Sequence, residues 1–148
     1  MEEKDLNKWR HLFIEGEYAT PEEILSGLKL EQVTHLPSKA SHSIYEELWH
    51  LTRWQTIVVF RDEALYETWV KGEHYPSQEP ISEQAWHDLV RTFFAGLEEV
   101  FQWTNSPERL RMETDLGITM EDNLTLLAVH NAYHLGKIVA IRELFGPW

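Results

Sequence analysis

Two histidines, His130 and His134, stand four residues apart in the run His130-Asn131-Ala132-Tyr133-His134, inside an apolar stretch from Leu124 to Phe145. Side chains at i and i+4 share one face of a helix, so both imidazoles reach one point in space and are able to chelate a single metal ion. On a helical projection the pair falls within the stripe formed by Leu127, Ile138, Ile141 and Phe145. Each ring carries nitrogens that must be bonded or bear a desolvation penalty. With eight histidines in 148 residues the spacing alone is no rarity; its place in the apolar stripe is what makes it informative. The competing reading is a pair of core histidines bonded to other side chains, for which the stripe offers few partners.

Two ligands leave a coordination sphere incomplete, and a catalytic site typically draws a third from another element while leaving the rest open. The chain has no cysteine. That excludes disulfides, zinc-thiolate clusters, CxxC redox chemistry and a cysteine nucleophile, and leaves nitrogen and oxygen to hold any metal. His50 is the candidate third ligand. It lies one turn from Trp54 and two from Ile57, at the edge of an apolar helix face where a neighbour can approach; a half-exposed surface histidine is the other reading. Glu46 and Glu47, about one turn before His50, are candidate bases or supports for a ligand, with plain solvated charge as the alternative. Glu47 and Tyr133 are the candidate catalytic groups, and Trp54, Trp69 and Tyr75 the candidates for binding a cofactor, although aromatics at helical spacing equally suit a core.

The elements that must position these residues are helical. Leu6, Trp9 and Phe13 predict a first helix over residues 4–14, stopping near Gly16. Thr20-Pro21-Glu22-Glu23 combines an N-cap, a proline at the first helical position and a glutamate at N3, predicting a short helix over 21–29. Residues 30–41 read as a surface connection. Ser43 with Glu46 forms a capping box for a helix from 44 to about 62, whose apolar face holds Ile44, Leu48, Leu51, Val58 and Val59. Residues 66–81, with Gly72, Pro76 and Pro80 among aromatics, read as a loop able to roof a pocket.

Ser82 caps a third long helix carrying Trp86, Leu89, Val90, Phe93, Leu97, Val100 and Phe101, ending near Asn105. After a possible turn at Ser106-Pro107, Thr119 caps the last helix, which Gly146-Pro147 ends. Leu126, Val129, Tyr133, Ala140 and Leu144 make that helix apolar on the side away from the histidines as well, so it is expected to be covered either centrally or at a subunit interface. Strand-like alternation is absent. The reading is one all-α domain over residues 1–148, a four-helix bundle with short extra N-terminal helices.

Composition bounds the partners. A formal charge of −12, from 25 acidic against 13 basic residues, repels phosphate backbones and anionic membranes. No nucleic-acid or membrane partner is expected. The acidic start Met1-Glu2-Glu3-Lys4-Asp5 is no signal peptide, and the polar residues within Leu124–Phe145 argue against a membrane span, so a cytoplasmic protein is expected.

The runs His42-Ser43-Ile44-Tyr45-Glu46-Glu47-Leu48-Trp49-His50, followed by Trp54-Gln55, and His130-Asn131-Ala132-Tyr133-His134-Leu135-Gly136 resemble the corresponding helices of the DinB-like (YfiT-like) superfamily. The likeness extends from Thr20-Pro21-Glu22-Glu23 to the closing Leu144-Phe145-Gly146; Lys137 departs from it, where glutamine is frequent. The resemblance implies a four-helix bundle, often a homodimer, with one divalent metal held by a triad that maps onto His50, His130 and His134. It also implies a metal-dependent thiol S-transferase that uses a low-molecular-weight thiol such as bacillithiol on a small-molecule substrate. A metal-dependent hydrolase and a non-enzymatic metal-binding, stress-response dimer are the alternatives. Zinc or nickel is the expected ion, with iron and manganese also compatible, and binding should weaken below about pH 6.5 as imidazoles protonate.

Overall fold

The computed structural model describes residues 3–77 and 79–148, without the side chains of residues 5–7. The opening Met1-Glu2 and the expected core role of Leu6 lie outside the described residues. No strand occurs among the described residues; an isolated bridge pairs Glu113 with Thr119. Helix α1 (Glu3–Arg10) runs into a π-helical turn, His11–Glu15, that closes at Gly16 in the positive-φ conformation glycine permits. Trp9 and Phe13 are buried and stack on each other.

Helix α2 (Pro21–Leu25) starts as expected, with the Glu23 amide donating to Thr20 Oγ1 at 3.2 Å, but stops early because Gly27 at φ +70 turns the chain. The surface connection expected over residues 30–41 is corrected: it contains α3 (Leu30–Thr34). One fully buried side chain, Val33, and the Gln32 side chain accepting from the Lys29 amide hold this single turn, which is too short to show a period. The loop expected over 66–81 is corrected in part by α5 (Glu63–Val70), capped by Asp62 through the Leu65 amide. No residue of α5 is fully buried, so no core-facing stripe marked it in the sequence.

Three long helices build the core: α4 (Ile44–Phe60), α6 (Glu83–Thr104) and α8 (Met120–Glu143), with the one-turn α7 (Pro107–Leu110) before the last. Ser43, Ser82 and Thr119 cap the long three, as their spacing to the following acidic or amide groups predicts. Helix α4 packs along α6 on one side and α8 on the other, while the N-terminal segment lies against α6 and α8. One apolar cluster runs from Trp9 to Ile141.

Of the two coverings expected for helix α8, the central one does not occur within the single chain. Leu126, Val129, Tyr133 and Leu144 are exposed, and Phe145 lies beyond the helix end against His35. Helix α4 and the N-terminal segment cover one side of α8, and the residues opposite that buried side are those left out. By length and composition α8 is also the one described helix apolar enough to cross a membrane, with 44% of its most apolar window buried in the fold.

A polar seam ties the three long helices together. Gln55, fully buried on α4, donates to the Phe93 carbonyl of α6 at 2.8 Å and accepts from Asn131 Nδ2 of α8 at 2.8 Å. Gly96 makes room for it: a Cβ there would overlap Gln55 Nε2 and lie 2.9 Å from its Cδ. Gln55 is held at both ends and cannot retreat. Gly96→Ala is therefore expected to cost about 2 kcal/mol net, overpacking and lost hydrogen bonds outweighing the better helix propensity of alanine. Urea denaturation measures it, and an unchanged midpoint would refute the packing argument.

Candidate metal centre

The α4–α8 contact brings the three histidines together. His50 on α4 and His134 on α8 are buried, His130 is half-buried, and each offers a ring nitrogen within 4.8 Å of the other two. His130 Nε2 lies 3.3 Å from His50 Nε2. Two nitrogens bound to one ion at about 2.1 Å are at most about 4.2 Å apart, so small side-chain adjustments suffice to close the cluster.

The opposite ring nitrogens are occupied. His134 Nδ1 lies 2.6 Å from Glu47 Oε2, and His50 Nδ1 lies 2.8 Å from the His74 carbonyl oxygen. Burial pushes the Glu47 carboxyl up, but the hydrogen bond to His134 and the charges of His134, Lys137 and His42 bring it below its ordinary value. An ionised carboxylate and a carbonyl only accept, so both histidines carry hydrogen on Nδ1 and, in the neutral form, present a bare Nε2 to the cluster. Outer groups of this kind orient metal-bound imidazoles.

His130 has no such support: its Nδ1 is buried with no hydrogen-bond partner among the described residues. Without a cation, either His130 Nε2 donates across the long 3.3 Å gap and leaves Nδ1 unbonded, or three bare nitrogens face one another. A positive ion at their common point relieves the facing nitrogens, while His130 Nδ1 keeps no partner among the described residues. The donor set, three neutral imidazoles with no thiolate, fits a divalent transition metal.

The other expected residues divide. Trp69 and Tyr75 pack directly on the His50 ring, at centroid distances of 4.9 and 4.7 Å, so the aromatic segment does cover the cluster. Trp54 touches Trp69 instead and lines a separate cleft. Tyr133 is exposed and meets only the edge of His134, with the Lys137 ammonium over its ring. Glu46 is taken up by the capping box, accepting from the Ser43 amide at 3.1 Å. Glu47 is the carboxylate at the site, 3.6 Å from Lys137 Nζ and 3.7 Å from His42 Nδ1. Lys137 thus sits where it offsets a buried negative charge.

Two contributors escaped sequence reasoning. His42 stacks face to face on Tyr75 with centroids 3.6 Å apart, and His74 acts through its backbone carbonyl. The identity of His74 carries no signal for the second role, since any residue has a carbonyl there.

Burial, and then the neighbouring His134 and His50, lower His130 from its ordinary 6.5 to about 4; burial first also lowers His50. Proton competition at these rings therefore begins below the pH 6.5 that free imidazole predicts. In metal-free protein the unfolded chain holds more protons than the folded chain between about pH 6.5 and 4, so stability is expected to fall as the pH falls through that window. Urea midpoints between pH 7 and 4.5 would show the decline, and His130→Ala should flatten it; an identical slope in the variant would contradict the assignment.

Fold and site together define an all-helical protein with a three-histidine cluster able to hold a metal ion. Compared with protein-family models, curated proteins and solved structures, the chain finds no match in any of the three.

Proposed function

We propose that this protein is a single-domain, DinB-like four-helix bundle that binds one divalent metal ion, zinc or nickel, and transfers a low-molecular-weight thiol such as bacillithiol to a small electrophile. The observation that carries the reading is the convergence of His50, His130 and His134, with Nδ1 of two of them already engaged by Glu47 and the His74 carbonyl. Three protein ligands, rather than the four of a structural site, leave room for an external one. A divalent ion in that position supplies Lewis acidity that keeps a thiol ionised near neutral pH.

The chain's own residues do the rest. Trp69 and Tyr75 shield the His50 side from water. Glu47 holds His134 in the tautomer that binds, and Lys137 balances the Glu47 charge. In the transfer a carbon–sulfur bond forms, the bond to the leaving group breaks, and the thiol proton departs to solvent. The hydrolytic alternative needs a free carboxylate as base, whereas Glu47 is committed to His134 and Glu46 to the cap of α4.

The exposed apolar residues of α8, Leu126, Val129, Tyr133 and Leu144, support a homodimer through that face. The acidic charge supports the reading without nucleic-acid or anionic-membrane partners. The test is a panel of bacillithiol, coenzyme A and glutathione with a chromogenic aryl halide, run with added zinc or nickel and after chelation. A metal-dependent rate with one thiol, lost in His134→Ala, is expected; no metal-dependent rate with any thiol would sink the transferase reading.

A further inference from the structure

We infer that the protein has a second ligand site, apart from the histidines, which takes a small ring-bearing amine. A cleft of about 520 Å³ opens between the C-terminal half of α4, the start of α5 and the 114–123 segment. Small-molecule sites commonly span about 300–1,000 Å³, with apolar walls and a few convergent polar groups. Trp54 and Tyr66 provide an aromatic wall, their rings tilted at 46° with centroids 6.5 Å apart. Ile57 and Val58 continue the apolar lining.

Asn123 supplies the polar group, lining the cleft at 8% exposure. Its side-chain amide brings both a donor and an acceptor to the cleft wall. The rim selects charge. Asp62, Glu63 and Asp115 stand against Arg61 alone, whose guanidinium reaches Asp115 only at 4.0 Å. A carboxylate would meet net repulsion, while an ammonium gains from the acidic rim and from the faces of Trp54 and Tyr66. The cleft is distinct from the histidine cluster because Trp69 stands between them, 5.3 Å from Trp54 and 4.9 Å from His50.

Tryptamine, titrated calorimetrically into the full chain, is the probe, with indole-3-propionate as the same ring bearing the opposite charge. Tryptamine is expected to saturate one site per chain and to bind at least about ten-fold more tightly than the acid. Asn123→Ala should weaken it about five-fold, the worth of one hydrogen bond, and Tyr66→Ala about ten-fold. Tyr66 is 39% exposed, so its variant keeps the fold if Asn123→Ala does not. His130→Ala should leave the affinity unchanged, which separates this site from the metal reading. Unsaturable binding, tighter binding of the acid, wild-type affinity in Tyr66→Ala, or loss of binding in His130→Ala would each overturn the proposal.

Discussion

His130→Ala is expected to lower metal affinity by more than about 100-fold, beyond the 10- to 100-fold typical of losing an outer partner of a ligand. His134→Ala and His50→Ala should behave alike, because each supplies one of only three nitrogens at the common point. Metal analysis of untagged protein, dialysed against a weak competing chelator, measures the effect. His130→Ala is the cleanest of the three. Its ring is half-buried with Nδ1 unbonded and only the long 3.3 Å contact of Nε2 to His50, so removing it should leave the metal-free fold within about 1 kcal/mol of the parent. Metal content unchanged in both His130→Ala and His134→Ala would end the three-histidine assignment.

Removing the Glu47 carboxylate should have the next largest effect. Glu47 is 3% exposed, bonded to His134 Nδ1 and faced by Lys137 and His42. Glu47→Ala leaves the His134 N–H without its acceptor and Lys137 without its counter-charge, so metal affinity should drop about 10- to 100-fold and stability by about 2 kcal/mol. Glu47→Gln retains a neutral acceptor for the same N–H, and a smaller loss is expected on both measures. The order alanine below glutamine below parent, read in affinity, marks a positioning residue. A general base would give the reverse signature: full affinity in Glu47→Gln with turnover abolished. The carboxyl is held below its ordinary value, so its contribution to stability is present at neutral pH and disappears as the pH falls through the folded-state value.

What was legible in the chain, and what was not, follows interaction range. The caps at Thr20, Ser43, Ser82 and Thr119 are side-chain to backbone bonds three residues long, and all four form where the spacing places them. Helices α3 and α5 were missed because one bury a single side chain and the other none completely, leaving no periodic face. The outer face of α8 left two coverings open, and the fold decides against the central one. Leu126, Val129 and Tyr133 are apolar, and apolar residues suggest cover, yet the single chain leaves them exposed.

The same division runs through the site. That His130 and His134 share a face is a property of any α-helix, so the sequence alone determined that pair, and its apolar setting set it apart from a chance spacing. The junction with His50, 80 residues from His130, exists only because α4 docks on α8 in one register. Helix geometry points the two neighbouring glutamates about 100° apart and the capping-box spacing already placed Glu46, but only the docking of α4 on α8 brings Glu47 to His134. Last, tertiary structure supplied the His74 carbonyl, a backbone atom whose position depends on how the chain leaves α5 and whose partner could be found only once the two segments had met.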